Sequence, residues 1–515
     1  MFEYLWFWIA LGALVLVVLV AFHDLFQRDH AILRNFPIVG HFRYWLETVG
    51  PELRQYIVTD NDEERPFSRD QRRWIYASSK RQNSYFGFGT DNDLEGASNY
   101  LILHHSSFPL DDPHPGDAAY DPEFQLPSAR VLGAHRGRAK AFRPASIVNG
   151  SAMSFGSLSR AAIEAINRGA ASSGSLQNTG EGGISPHHRH GGDLIWQIGT
   201  GYFGCRAADG TLDLEKLVET ALSGPVRAIE IKLSQGAKPG VGGFLPGAKV
   251  TPEIAAIRGI PVGKDCASPP SHAAFRSADE LLDLVETIAE RTGLPVGIKS
   301  AVGGKSFWED LARLMETTER GVDFITIDGG EGGTGAAPLV FSDHVALPFK
   351  LGFVRAYRAF HERGVHRGPL WIGSGKLGLP ESGMLALALG CDLLNVAREG
   401  MLAVGCIQAQ RCHTGHCPTG VATHNPWLVR GLDVQSKGVR YGNYITAFRK
   451  ELLRLAHAMG HVHPALIRRD QVEILDHGYA GSSIDDVFGL SGDWGEVGEA
   501  DVEAVSQLLR CSQPV

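Results

Sequence analysis

Residues 278–300 read ADELLDLVETIAERTGLPVGIKS. Within 278–290, Leu281, Leu282, Val285 and Ile288 recur at helical spacing on one face, and 296–300 is a short apolar run of strand length that contains Lys299. A helix feeding a strand in this way is half of a parallel βα repeat. The alternation extends in both directions: strands are expected at 146–149, 228–233, 296–300, 324–327, 370–373 and 393–396, and 307–319 reads as another amphipathic helix. Two weaker strands in the glycine-rich stretch 174–203 bring the number to eight, which predicts an α/β fold of the (β/α)8 TIM type. A doubly wound open sheet is the alternative, set aside because no strand is read as leading into G-x-G-x-x-G and a helix.

Barrels of this kind carry their chemistry just after the carboxyl ends of the strands. Gln235 and Lys238 follow the 228–233 strand, Lys299 closes 296–300, and the glycine-rich 328–335 follows 324–327. Ser374-Gly375 and Ala397-Arg398 follow the last two strands, where backbone amides of such barrels often bind phosphate. A guanidinium can clamp the same phosphate, so Arg398 is a candidate ligand, with a surface salt bridge as the other reading. The chain has 62 glycines, and their clustering in short loops hints at a phosphate-bearing cofactor.

At 515 residues, 43% hydrophobic and 21% charged, the composition is that of a globular chain large enough for one big core or two ordinary ones. A net charge of −8 and the lack of a lysine or arginine run give no footprint for nucleic acid. Residues 4–22, YLWFWIALGALVLVVLVAF, are uncharged and at helical rise just span the ~30 Å hydrocarbon core, so a transmembrane anchor is expected. A cleaved signal peptide is the rival, but no basic n-region precedes the stretch and no small-x-small site ends it. Arg28, Arg34, Arg43 and Arg54 follow it, which places the body in the cytoplasm of a single-pass inner-membrane protein. The reducing side of the membrane also suits free cysteines. The expected layout is an anchor over 1–24, a juxtamembrane region and linker over 25–145, a barrel over 146–465 and an extension over 466–515. Within the second part, 86–90 reads as a glycine turn and 109–127, with five prolines and four aspartates, as an extended linker or surface loop.

Residues 405–420, GCIQAQRCHTGHCPTG, hold Cys406, Cys412 and Cys417. Neither spacing is the C-x-x-C of a redox or zinc motif, and a disulfide would leave one of the three unpaired. Soft thiolates suit an iron–sulfur site; a buried cysteine beside a chance pair is the alternative. Followed by PTGVAT (418–423), Cys-x5-Cys-x4-Cys closely resembles the cluster motif of the glutamate synthases. The resemblance runs from about residue 151 to 423. SAMSFG (151–156), NTGEGG (178–183), QGAKPG (235–240) and GGTGAAP (332–338) are similar to blocks of that family's FMN domain, in the same order.

The resemblance implies FMN and a three-iron, four-sulfur cluster on Cys406, Cys412 and Cys417. It implies backbone contacts to the flavin ring from Ala152, Met153 and Ser154, and charge stabilisation at the ring's N1/O2 edge by Lys299. Gly332, Gly333, Thr334, Gly373, Ser374, Gly375, Ala397 and Arg398 complete the implied cofactor site. Lys238 and Arg258 would hold the carboxylates of 2-oxoglutarate or its imine, with Gln235, Glu181 and Ser268 beside them, and Lys238, Glu181 and Gln235 are the catalytic candidates. In the implied reaction electrons enter through the cluster from ferredoxin or another donor, and hydride from FMN reduces 2-iminoglutarate to glutamate.

The chain also departs from the family pattern. Gly330 and Glu331 stand where the family has His and Asp, Gln177 replaces a serine, and Val241 replaces an acidic residue. The family's amino-terminal glutaminase domain and carboxyl-terminal β-helix have no counterpart in the sequence, so ammonia is expected free or from a separate subunit. Three readings follow: a glutamate-forming oxidoreductase, a flavin enzyme acting on another amine-linked glutamate or serving membrane electron transfer, and a tethered scaffold without catalysis.

Overall fold

The computed structural model describes residues 2–27, 29–112, 114–115, 121–476 and 480–511. Arg28 and, within the proline-rich stretch, Pro113 and 116–120 lie outside the described residues, as do 512–515 of the carboxyl-terminal extension. The chain forms two compact units, Met1–Asp70 and Gln71–Val515.

In the first unit, helix Phe2–Phe26 contains an apolar stretch, Tyr4–Phe26, that is long enough to cross a membrane, and every residue from Tyr4 to Leu19 is exposed. Near its end Asp24 accepts hydrogen bonds from Ile38 N and His41 Nε2, both at 2.9 Å. These bonds fix the turn into helix Gly40–Leu53.

In the second unit eight parallel strands close a barrel in chain order. They are β1 (Val148–Gly150), β2 (Gln177–Asn178), β3 (Leu194–Ile198), β4 (Val226–Lys232), β5 (Val296–Ser300), β6 (Phe324–Asp328), β7 (Leu370–Ser374) and β8 (Leu393–Val396). Every residue of β3, β5, β6 and β7 is buried, as expected of parallel strands packed on both faces. The expected fold is the observed one. The letters G-x-G-x-x-G do follow a strand, contrary to the sequence reading, at Gly330, Gly332 and Gly335 after β6. They run into Ala-Ala-Pro338 and a six-residue helix, Leu339–His344, on a closed barrel, so they do not make the crossover of an open dinucleotide-binding sheet.

The outer helices are formed by ordinary signals. Helix Ala278–Thr292 starts where the Ser277 side chain accepts the Glu280 N–H, ends at Gly293 with φ 72°, and buries Leu281, Leu282, Val285 and Ile288; a serine cap of this kind is worth about 1 kcal/mol. Helix Ser306–Thr317 occupies the place expected for 307–319. After β8 the chain passes through the cysteine loop into the long helix Val434–Ala458, which packs against helix Arg160–Ser173. Their contact needs glycine: a Cβ on Gly169 would lie 2.6 Å from the Gly438 carbonyl oxygen.

A strand that the sequence reading lacks, Tyr100–Leu103, pairs antiparallel with Val472–Leu475, which pairs in turn with Gly481–Ser483. The segments before and after the barrel are thereby joined in one small sheet beside it.

His463 makes stability depend on pH. It is fully buried, its Nε2 is 3.0 Å from the Pro127 carbonyl oxygen, and its Nδ1 accepts the Ala465 N–H at 3.1 Å, an arrangement only the neutral Nε2–H tautomer satisfies. Burial pushes its pKa down from 6.5 to about 4. The unfolded chain therefore takes up a proton before the folded one does. The contribution is present above about pH 6.5 and is lost as the pH falls toward 4, by up to about 3 kcal/mol. His463→Gln, which keeps a donor and an acceptor, should flatten the fall in unfolding free energy across this range in denaturant titrations, and an unchanged slope would exclude His463 as its source.

Candidate active site at the carboxyl ends of the strands

Two lysines stand in register at the carboxyl ends of adjacent strands, Lys232 as the last residue of β4 opposite Lys299, the last but one of β5. Both are buried, and each faces a carboxylate. Lys299 Nζ lies 3.4 Å from Asp328 Oδ2 at the end of β6. Burial alone would lower the Lys299 pKa, but Asp328, with Glu230 and Glu181 beyond it, outweighs burial and holds the value above the ordinary lysine range. Lys299 is thus a fixed cation. Asp328 also accepts the Gly236 N–H at 3.0 Å, which ties β6 to the 235–240 loop. Beneath the site, Glu230 accepts hydrogen bonds from Asn178, Gln197 and Thr326 at 2.6 to 2.7 Å, so both oxygens of this buried carboxylate are bonded.

Lys232 Nζ lies 2.6 Å from Glu181 Oε1 and donates at 2.7 Å to Gln235 Oε1, and Gln235 Nε2 donates to Thr334 Oγ1 at 3.2 Å. Glu181, Lys232, Gln235 and Thr334 therefore form one chain across three strand ends. Burial would raise the Glu181 pKa, but Lys232, then Lys238 and Arg258, hold it below the usual carboxylate value. Lys238 is 4% exposed, and burial and the neighbouring Lys232 lower its pKa against the pull of Glu181. Arg258, on helix Pro252–Arg258, donates to the Phe155 carbonyl at 3.0 Å and lies 5.0 Å over the Phe203 ring. Among the described residues its buried Nε has no hydrogen-bond partner.

The loop after β1 comes against the turn after β2. A Cβ on Gly180 would lie 2.5 Å from Ser154 N, so glycine lets this turn sit directly on Met153 and Ser154. Ser151 Oγ lies 3.2 Å from Ser374 Oγ, and Gly329 N donates to the Ser374 carbonyl at 2.9 Å, which brings the ends of β1, β6 and β7 together. Gly375 takes φ 125° beside Gly329. The Arg398 side chain lies along Gly333, where a Cβ would be 2.7 Å from its Cδ, and hydrogen-bonds the Glu331 carbonyl. Ala152, Met153, Ser154, Lys299, Gly332, Gly333, Thr334, Ser374, Gly375, Ala397 and Arg398 thus share the loops at one end of the barrel.

Two candidates stand apart. A Cβ on Gly373 would meet Leu377 at 2.7 Å, Phe349 at 3.0 Å and Cys391 at 3.1 Å, so glycine there answers a packing demand behind β7. Ser268 reaches the site through its backbone, donating to the Gly243 carbonyl at 2.8 Å, and its hydroxyl takes no part in the Glu181–Lys232 chain. The departures at 330 and 331 also have structural roles: Gly330 N donates to the Leu347 carbonyl, and Glu331 Oε2 accepts the Phe349 N–H at 2.7 Å, at the start of helix Phe349–His361.

Cys406, Cys412 and Cys417 are free thiols on the loop after helix Arg398–Ala403. Burial pushes the Cys406 thiol up to about 12, with Cys412 and Cys417 adding to the rise. Lys249 is a buried cation beside this loop. It is 3% exposed, donates to the carbonyls of Cys412 at 2.8 Å and Ser157 at 3.2 Å, and burial lowers its pKa while only Cys412 and Cys417 act to raise it. A buried ammonium whose charge partners are two thiols fits an anionic sulfur cluster better than it fits neutral cysteines. The sequence reading missed Lys232 and Lys249. Ending the fourth strand at 233 concealed Lys232 as a strand-end residue, and Lys249 sits at the end of a short turn, Gly247–Lys249, that no spacing marks.

Residues 130–462 match the conserved region in glutamate synthase. The glutamate synthase large subunit-like protein YerD of Bacillus subtilis (strain 168) is 37% identical over 487 residues, 89% of this chain and 92% of its own length. The archaeal glutamate synthase (NADPH) of Methanocaldococcus jannaschii is 37% identical over 314 residues, 60% of this chain; the match spans only 58% of that protein. A mandelate oxidase structure with benzaldehyde covers 73% of this chain and 86% of its own at 15% identity and a TM-score of 0.42, too remote to bear on chemistry.

Proposed function

The chain belongs to the glutamate synthase family, and from that premise we propose that it is an FMN- and iron–sulfur-dependent oxidoreductase that reduces 2-iminoglutarate, formed from 2-oxoglutarate and ammonia, to glutamate. The observation that carries the substrate is a charge excess. Lys232, Lys238 and Arg258 surround Glu181, and three cations against one carboxylate leave two positive charges, the complement of a dicarboxylate. Lys238 and Arg258 would take the two carboxylates. Glu181, kept ionised by the cations around it, would stabilise a protonated imine nitrogen and so make its carbon the better electrophile. Lys232, held by Glu181 and Gln235, orients both.

FMN, when bound, supplies hydride chemistry, and a three-iron, four-sulfur cluster supplies single electrons. The chain's own residues suit both groups. Lys299 is a fixed cation for charge on a reduced ring, Arg398 and the loops after β7 and β8 suit a phosphate, and Lys249 offsets the charge of sulfur ligands. The electron donor is proposed to be ferredoxin or a partner subunit. With reduced ferredoxin, 2-oxoglutarate and ammonium, the full-length protein should form glutamate. Lys238→Ala and Arg258→Ala should each lower turnover by about 30-fold or more while flavin absorbance stays, since losing one partner of a buried charge pair costs about 2–5 kcal/mol. No glutamate from flavin- and iron-loaded protein would overturn the substrate assignment in favour of another amine-linked glutamate.

We further propose that the apolar helix anchors the protein with its body in the cytoplasm, on the support of its length, its exposed apolar side chains and the arginines that follow it. Protease added outside intact cells should leave the body whole; digestion would reverse the topology.

A further inference from the structure

At the amino-terminal end of the strands, opposite the active site, three groups from distant parts of the sequence converge. His361 ends helix Phe349–His361, His366 lies in the loop that enters β7, and Asp493 comes from the carboxyl-terminal segment. One ligand atom from each lies within 4.8 Å of the others. His361 Nε2 is 3.0 Å from Asp493 Oδ1, and His366 Nε2 is 3.5 Å from Asp493 Oδ2. The decisive group is His366. It is 4% exposed, and among the described residues neither of its ring nitrogens has a hydrogen-bond partner. A buried imidazole left without any hydrogen bond is costly, and native interiors rarely leave one so.

We infer that His361, His366 and Asp493 bind a divalent transition ion of the zinc type. Two imidazoles and a carboxylate are an N/O donor set for such an ion, and three protein ligands leave a fourth position for water. Arg367, 3.0 Å from Asp493 Oδ2, is the competing cation, but it is half exposed and can turn into solvent. The role is structural, because this end of a barrel serves stability. Beside Asp493, Trp494 is 2% exposed and donates to the Leu389 carbonyl at 2.8 Å, so an ion here would fasten the carboxyl-terminal segment to the helix and loop that precede β7.

The test uses the full-length, cofactor-loaded protein in detergent, stripped of loose metal with a chelator and titrated with Zn2+ against a chromophoric indicator. One zinc per chain is expected, with a first shell of nitrogen and oxygen at about 2.0–2.2 Å by X-ray absorption. His366→Gln should weaken binding by about 100-fold or more, since loss of an outer partner alone costs 10–100-fold. His361→Gln and Asp493→Asn, at partly exposed positions, should do the same and keep the test open if the buried variant does not fold. Zinc held by sulfur at about 2.3 Å, or affinity unchanged in these two variants, would overturn the site.

Discussion

Exchanging Lys232 for Met is expected to destabilise the protein by about 3 kcal/mol, the lower end of what breaking a buried ion pair costs. The pair is largely out of water, with side chains 10% and 16% exposed and a separation of 2.6 Å. Methionine fills most of the same volume but leaves Glu181 without its nearest cation and Gln235 Oε1 without its donor. Lys238 and Arg258, which also act on Glu181, compensate in part, and this sets the loss at the lower end of the range. Equilibrium unfolding of wild type and variant at pH 7 measures it. Glutamate formation should fall with it, because Glu181, the carboxylate proposed to act on the imine, would lose its orientation. A variant as stable as wild type would show that Lys232 and Glu181 do not form the buried pair described.

The second large effect is on iron. Cys412→Ser should remove nearly all of it, because a serine hydroxyl is a hard, protonated donor where a soft thiolate is required. The flavin should stay, since Lys299, Ser374 and Arg398 lie on strand ends and loops that the cysteine loop does not build. Metal analysis and the absorption spectrum report the two cofactors separately. Full iron content in the variant would remove Cys412 from the ligand set, and loss of both cofactors would show that the loop supports the barrel mouth as well.

The barrel was legible because its strands are apolar runs closed by polar residues, and the helices between them keep strict periodicity. Where the wall is made of very little strand the pattern fades. β2 has two residues, Gln177 and Asn178, both polar, and only barrel closure makes them a strand. The missing strand Tyr100–Leu103 fails for another reason. YLIL is four residues amid glycine, asparagine and proline, and its partner Val472–Leu475 lies at the other end of the sequence, so no local signal links them. At the site, position along the strands located Lys299, Gln235, Lys238 and Arg398. Lys232 was lost because ending β4 at Leu233 put it one place inside the strand rather than at its end. The His361, His366 and Asp493 group is illegible in principle, because four residues lie between the histidines, and β7, β8 and the helices that follow them, the long helix Val434–Ala458 included, separate the pair from the aspartate.

The small sheet beside the barrel sets a timetable for synthesis. Tyr100 pairs with Leu475, 375 residues later (475 − 100). At a ribosomal rate of about 5–20 residues per second, the YLIL strand waits roughly 20–75 s for its partner. During that interval it is an unpaired apolar edge, the kind of template on which neighbouring nascent chains associate. Messages cut short before residue 472 would leave that edge open permanently. The cell's holding chaperones, rather than the fold, then decide whether such fragments stay in solution.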